Sequence, residues 1–170
     1  RWSYFKDKPG DISEQDQVVY NSYENIELFI DALALSGGFL PPHSYLIPRN
    51  LINRAGEWNE CLMINQDGEF MSRIFTKIKR VIFSENTSVF YRKEISLRIS
   101  KLDSDLKIQH AILSWDLIEI AFKLKFGKET RLVSISRKYL AERISKINGE
   151  SKSSFNYVWL LLMKKFRIKI

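Results

Sequence analysis

Asp67 and Glu69 stand in the stretch Asn65-Gln66-Asp67-Gly68-Glu69-Phe70, at the start of an apolar periodicity formed by Phe70, Met71, Ile74, Phe75 and Ile78. A carboxylate that faces a hydroxyl can take its proton as that oxygen attacks an electrophile. Asp67 shares a helix face with Phe70, Ile74 and Ile78, where an ordinary amphipathic helix places an apolar residue, so its carboxylate stands at the lip of a core. Glu69 lies about 200° round the same helix, which excludes a paired-carboxylate arrangement. A second reading stays open: acids in a first turn are stabilised by the helix dipole and by free backbone N–H groups without any chemistry.

Other reactive or ligand-binding types are few. Trp58 has either a ring for stacking on a sugar face or a purely packing role, and Arg49 and Arg73 are candidates for phosphate or for pairing with an acid. His43, between Pro42 and Ser44, is a candidate for lining a cleft, whereas His110 sits among apolar residues; neither is assigned to a metal. Asp103-Ser104-Asp105 reads as a helix start, with Ser104 or Asp103 as the cap, rather than as a metal motif. The single cysteine, Cys61, excludes an internal disulfide and a cysteine-based metal site, and fits a reducing compartment.

These residues need elements to hold them. Ile26, Phe29, Ile30, Leu33 and Ala34 recur at helical spacing and predict a helix over 24–35, stopped by Gly37-Gly38. Prolines 41, 42 and 48 bracket Tyr45-Leu46-Ile47, which predicts a short strand, and Pro48 then starts a helix over 49–55 that ends at Gly56. The next helix is expected over 65–77. Two β-like runs follow at 80–83 and 88–91, as a hairpin or two edge strands. The remainder predicts helices over 104–126, 130–147 and 154–167, while 1–23 reads as an irregular lead-in.

Of the 170 residues, 45% are hydrophobic and 28% charged, which excludes a disordered tail. No apolar run approaches the roughly 20 residues of a membrane span. Residues 93–170 hold 17 Lys and Arg against 8 Asp and Glu, net +9, whereas residues 1–92 are net −2 with 10 against 12. The basic half suits an anionic partner or is a solvated helical face. In the tail, Phe155, Val158, Trp159, Leu161, Leu162 and Phe166 are apolar while Lys152, Lys164, Lys165, Arg167 and Lys169 are basic, the composition of a helix resting on an anionic membrane or of a core helix with a basic end. Nucleic acid is not expected as a partner, because no nucleic-acid motif is present.

Taken in order, Gly37-Gly38-Phe39, Ser44-Tyr45-Leu46-Ile47-Pro48-Arg49, Ala55-Gly56-Glu57-Trp58-Asn59-Glu60 and Asn65-Gln66-Asp67-Gly68-Glu69-Phe70 with Arg73 resemble the acceptor-side half of family 2 glycosyltransferases, over roughly residues 20–98. Val81-Ile82-Phe83 and Val89-Phe90-Tyr91-Arg92 are similar to the strands that follow in that family. The resemblance implies an α/β chain: the C-terminal portion of a Rossmann-like, GT-A-type domain over 1–98, then a basic all-helical region over 99–170. It implies an inverting transfer from a nucleotide-sugar to a hydroxyl acceptor, in polysaccharide or glycoconjugate biosynthesis. Asp67 would be the base, with Gly37, Gly38, His43, Trp58, Glu69 and Arg73 on the acceptor side. The divalent cation of the family, Mn or Mg, is held by an Asp-x-Asp motif with no counterpart before Gly37, so its ligands are expected outside this chain. The chain is therefore expected to begin in mid-protein, to be inactive alone, and to be cytoplasmic, with membrane association through the tail. A non-catalytic module whose basic helices dock on an anionic surface is the competing expectation.

Overall fold

The computed structural model describes residues 1–5, 17–92 and 101–150, with side chains to residue 147. The described chain is mixed α/β and mostly helical. Its elements are β1 (Trp2–Phe5), α1 (Ile26–Leu35), α2 (Arg49–Ala55), α3 (Gln66–Phe75), β2 (Val89–Arg92), α4 (Asp105–Phe126) and α5 (Arg131–Glu150). The expected helix over 154–167 lies outside the described residues.

Local chemistry explains the helix ends. Asn25 caps α1 by accepting the N–H of Glu27 at 2.8 Å. At its other end Gly37 takes φ 89°, and Gly38, at φ 73°, donates its N–H to Leu33 O at 2.8 Å, the closure that a left-handed glycine permits. Pro48 precedes α2, and Gly56 at φ 85° follows it. Ser104 caps α4 through the N–H of Lys107 at 3.3 Å, and Asp103 pairs with Lys107 at 2.8 Å. The hydrogen bond from Lys107 pulls the Asp103 carboxyl below its ordinary value. The Asp-x-Asp triplet is thus used in starting a helix.

One core joins the two regions. Phe29 and Ile30 of α1, Phe70, Ile74 and Phe75 of α3, Ile118 and Phe122 of α4, and Leu132 and Val133 of α5 form a single buried cluster. Each such side chain contributes roughly 1.5–3 kcal/mol when fully buried. A second cluster sets Ile108 and Ala111 of α4 against Leu140 and Ile144 of α5, so the two long helices form an antiparallel hairpin. Arg137 locks that hairpin, pairing with Asp116 at 2.8 Å and with Glu119. Lys128, in the hairpin turn, reaches Glu27 of α1 at 2.6 Å. The helical region is therefore packed against the first region.

The structure differs from the expectations in the strands. Residues 2–5 form β1, although 1–23 read as irregular; β1 pairs in parallel with β2, Trp2 opposite Val89 and Tyr4 opposite Tyr91. A parallel pair requires a long crossover, here the chain that carries α1, α2 and α3. The run 80–83 contributes one antiparallel bridge, Val81 to Tyr23, and no strand; thus 80–83 and 88–91 are not a hairpin. Tyr45-Leu46-Ile47 follows a 3-10 turn at Pro42–Ser44 and joins no strand, because its flanking prolines leave it without a ladder partner.

Candidate functional site

The turn before α3 is shaped by Asn65. Its backbone is left-handed, φ 59° and ψ 30°, a conformation that asparagine tolerates better than most residues. Its Nδ2 donates to Oγ of Ser114 at 3.0 Å, and Ser114, fully buried on α4, donates in turn to Ala111 O at 2.8 Å. The N–H of Met63 donates to Nδ1 of His110 at 3.2 Å. Two side chains of α4 thus hold the 63–65 turn that aims the first residues of α3.

Asp67 is the second residue of α3. Its carboxylate is half-buried, and Oδ1 accepts the N–H of Gly68 at 2.9 Å. Among the described residues no donor bonds its Oδ2. Asp67 lines a cavity of about 40 Å³ together with Gly38, Phe39, Tyr45, Asn65 and Trp115. On this measure one water needs about 10–15 Å³, so the cavity admits a few water-sized groups; a whole sugar ring does not fit. Burial pushes the phenol of Tyr45 well above its ordinary value, and the negative charge of Asp67 adds to the rise. Near neutral pH Tyr45 keeps its O–H, and Tyr45 and Asp67 both line the cavity.

The other residues singled out in the sequence go elsewhere. Glu69 is buried and accepts from Arg73 at both oxygens, at 2.8 Å and 3.1 Å. Arg73 also donates to the carbonyls of Ala55 at 2.5 Å and Glu57 at 2.7 Å, so the pair fastens α3 to the end of α2. The Arg73 guanidinium lies 5.4 Å from the Phe70 ring centre, and Trp58 packs on the same ring at 5.0 Å. Trp58, Glu69 and Arg73 thus form one scaffold assembly and do not line the Asp67 cavity. Gly37 is exposed beside Gly38. A Cβ on Gly38 would meet Leu132 Cδ1 at 3.3 Å, which explains the glycine by the close passage of α5.

His43 is exposed and stacks on Tyr91, with ring centres 5.8 Å apart and planes 20° apart. Tyr91 belongs to an aromatic group on one face of the β1–β2 sheet, with Trp2 and Tyr4, and Phe39 meets Trp2 edge-on at 5.8 Å. Sequence reasoning missed Tyr45, Asn65, Ser114 and this aromatic group. Only Asn65 carried a local signal, an asparagine just ahead of the acids of a first turn.

Among the described residues no three His, Cys, Asp or Glu side chains gather as metal ligands. They do not fit the divalent cation that the resemblance implies, and no step is assigned to one. No described helix is long and apolar enough to cross a membrane. No family model matches the chain, and no curated protein or solved structure is detectably similar to it.

Proposed function

We propose that this chain is the acceptor-side part of an inverting glycosyltransferase with a Rossmann-like, GT-A-type fold, in which Asp67 removes the proton from the attacking hydroxyl of the acceptor. One observation carries the reading: a half-buried carboxylate, one oxygen of which no donor bonds among the described residues, lines a cavity that admits a hydroxyl. A base there works by position, since it meets the reacting proton at hydrogen-bond distance. Tyr45, which keeps its own proton, supports the reading as a donor that orients the incoming oxygen. The nucleotide-sugar donor and the cation belong, on this reading, to residues outside this chain. In the protein that carries those residues, Asp67→Asn reduces sugar transfer by about 10²–10⁴-fold while the far-ultraviolet circular dichroism spectrum stays unchanged. Retained turnover overturns the reading.

A second reading is favoured by α4. Leu106, Leu113, Ile120 and Leu124 are exposed in a row along its outer side, and the exposed Lys125 stands at its end, between Lys123, which pairs with Glu119, and Lys128 of the following turn, which pairs with Glu27. On this reading the chain is a non-catalytic module that docks on an anionic membrane surface. Co-sedimentation with phosphatidylglycerol vesicles, absent with phosphatidylcholine and weakened as salt rises, supports it. Equal sedimentation with both lipids removes it.

A further inference from the structure

Helix α4 is apolar on two sides. Ile108, Ala111, Ile118 and Phe122 are buried, whereas Leu106, Leu113, Ile120 and Leu124 are 52%, 45%, 55% and 83% exposed. With the half-buried His110 and Leu117 between them, the outer row advances by steps of four, three, four, three and four residues, the alternation of a coiled-coil seam. At about 100° per residue these six positions fall within about 80° of one another, roughly 140° round the helix from the core side. A helix that is apolar on both sides is covered on both sides. A contiguous row of this kind marks an interaction surface, as scattered single leucines do not.

Charge along the helix selects what covers it. The exposed Asp105 opens α4 and the exposed Lys125 stands at its end, while Lys107 and Lys123 are already paired, with Asp103 and Glu119. An anionic lipid surface lying along the whole row would repel the acidic end. A second α4 running antiparallel sets the acidic end of each copy beside the basic end of the other and also opposes the two helix dipoles. The stepping reads the same from either end. A two-fold axis at the level of Trp115 therefore lays Leu106 on Leu124, His110 on Ile120 and Leu113 on Leu117 of the second copy, the self-complementary contact that such an axis requires. Asp116, beside the axis, is neutralised within its own chain by Arg137. A parallel pair would instead set Asp105 beside Asp105 and Lys125 beside Lys125.

We propose that the outer row of α4 is a homodimer seam, through which two copies of this chain associate as an antiparallel α4 pair. At about 1.5 Å per residue the 22 residues of α4 span about 33 Å, and a strip of that length buries on the order of 1,000 Å² over both copies. That is the lower edge of a specific interface, so the dimer is a weak one that forms with rising concentration. The seam does not depend on the role of Asp67, and it gives the row an occupant other than the membrane of the second reading.

Sedimentation velocity of the chain from about 5 to 300 µM, the range in which a contact of this size associates, tests the seam. The sedimentation coefficient rises from that of the monomer toward that of the dimer. Leu113→Glu, at an exposed position, leaves the circular dichroism spectrum unchanged and weakens association at least about tenfold. Orientation is read by disulfide trapping in a Cys61→Ser background: chains with Gln109→Cys and chains with Lys123→Cys, both on one flank of the row, cross-link when mixed, and neither cross-links with itself. A chain that stays monomeric throughout, or a dimer indifferent to Leu113→Glu, overturns the seam. A monomer that co-sediments with phosphatidylglycerol vesicles, and loses this with Leu113→Glu, gives the row to the membrane and likewise overturns it. Cross-linking of each variant with itself and not with the other overturns the antiparallel arrangement.

Discussion

A Cβ placed on Gly68 would stand 2.2 Å from Oδ1 of Asn65, so the glycine beside Asp67 is required by the side chain of the residue that leads into α3. Asn65 cannot swing away freely, because its Nδ2 is bonded to Ser114. Alanine in a helix is otherwise favoured over glycine by about 1 kcal/mol. Gly68→Ala is therefore expected to lower stability by about 1–2 kcal/mol despite its better helix propensity. Asn65→Gly, which suits φ 59° and removes the obstructing oxygen, should make the same Gly68→Ala change neutral or stabilising. Urea denaturation of the four proteins of this cycle measures the coupling; additive effects sink the steric account.

Ser114 is where α4 enters the site. Ser114→Ala removes the acceptor of Asn65 Nδ2 at a part-buried site, and loss of such a hydrogen bond costs about 0.5–1.5 kcal/mol. Unlike a simple loss of packing, the penalty should vanish when Asn65 is already glycine. A full penalty in the Asn65→Gly background would show that Ser114 acts through α4 alone.

Glu69 and Arg73 make a stability prediction that separates them from Asp67. Arg73→Ala strips a buried carboxylate of its partner and frees two carbonyls at the end of α2, an expected loss of about 3–5 kcal/mol. Arg73→Lys keeps the charge but cannot reach a carboxylate and two carbonyls in the same fork geometry, and should recover only part. Asp67→Asn should leave the unfolding free energy measured in urea within about 0.5 kcal/mol of the wild type, as expected of a change outside the main stabilising contacts. A small effect of Arg73→Ala would return Arg73 to the acceptor side.

How much of this was legible in the sequence follows the range of each interaction. Helices α1, α2, α3, α4 and the start of α5 were readable within a residue or two, because spacing, prolines and glycines act locally. Strand β1 was not, since Trp2 to Phe5 is defined by pairing with Val89 to Arg92 and has no local signature. Asp67 was legible as a carboxylate on an apolar face. The turn that aims it was not, because Asn65 meets a side chain 49 positions away and Met63 one 47 positions away. Glu69 and Arg73 show the intermediate case: their i, i+4 spacing announces a pair, but only the fold brings the Ala55 and Glu57 carbonyls to the same guanidinium.

Tyr45 predicts a pH dependence of stability. Its folded-state pKa is raised above the ordinary value of 10.0 by burial first and by Asp67 second. From about pH 10 upward the unfolded phenol releases its proton while the folded one retains it, so the unfolded state binds fewer protons and stability falls as pH rises. Below that value the contribution is fully present. Between pH 10 and pH 11 the stability of the wild type should therefore drop by about 1 kcal/mol more than that of Tyr45→Phe, which has no phenol to titrate. Urea midpoints of both proteins at pH 8.5, 10 and 11 read the difference, and the other tyrosines and lysines cancel in it. Parallel pH profiles would mean that the Tyr45 hydroxyl meets solvent as freely when folded as when unfolded, and the cavity beside Asp67 would lose its proton-holding donor.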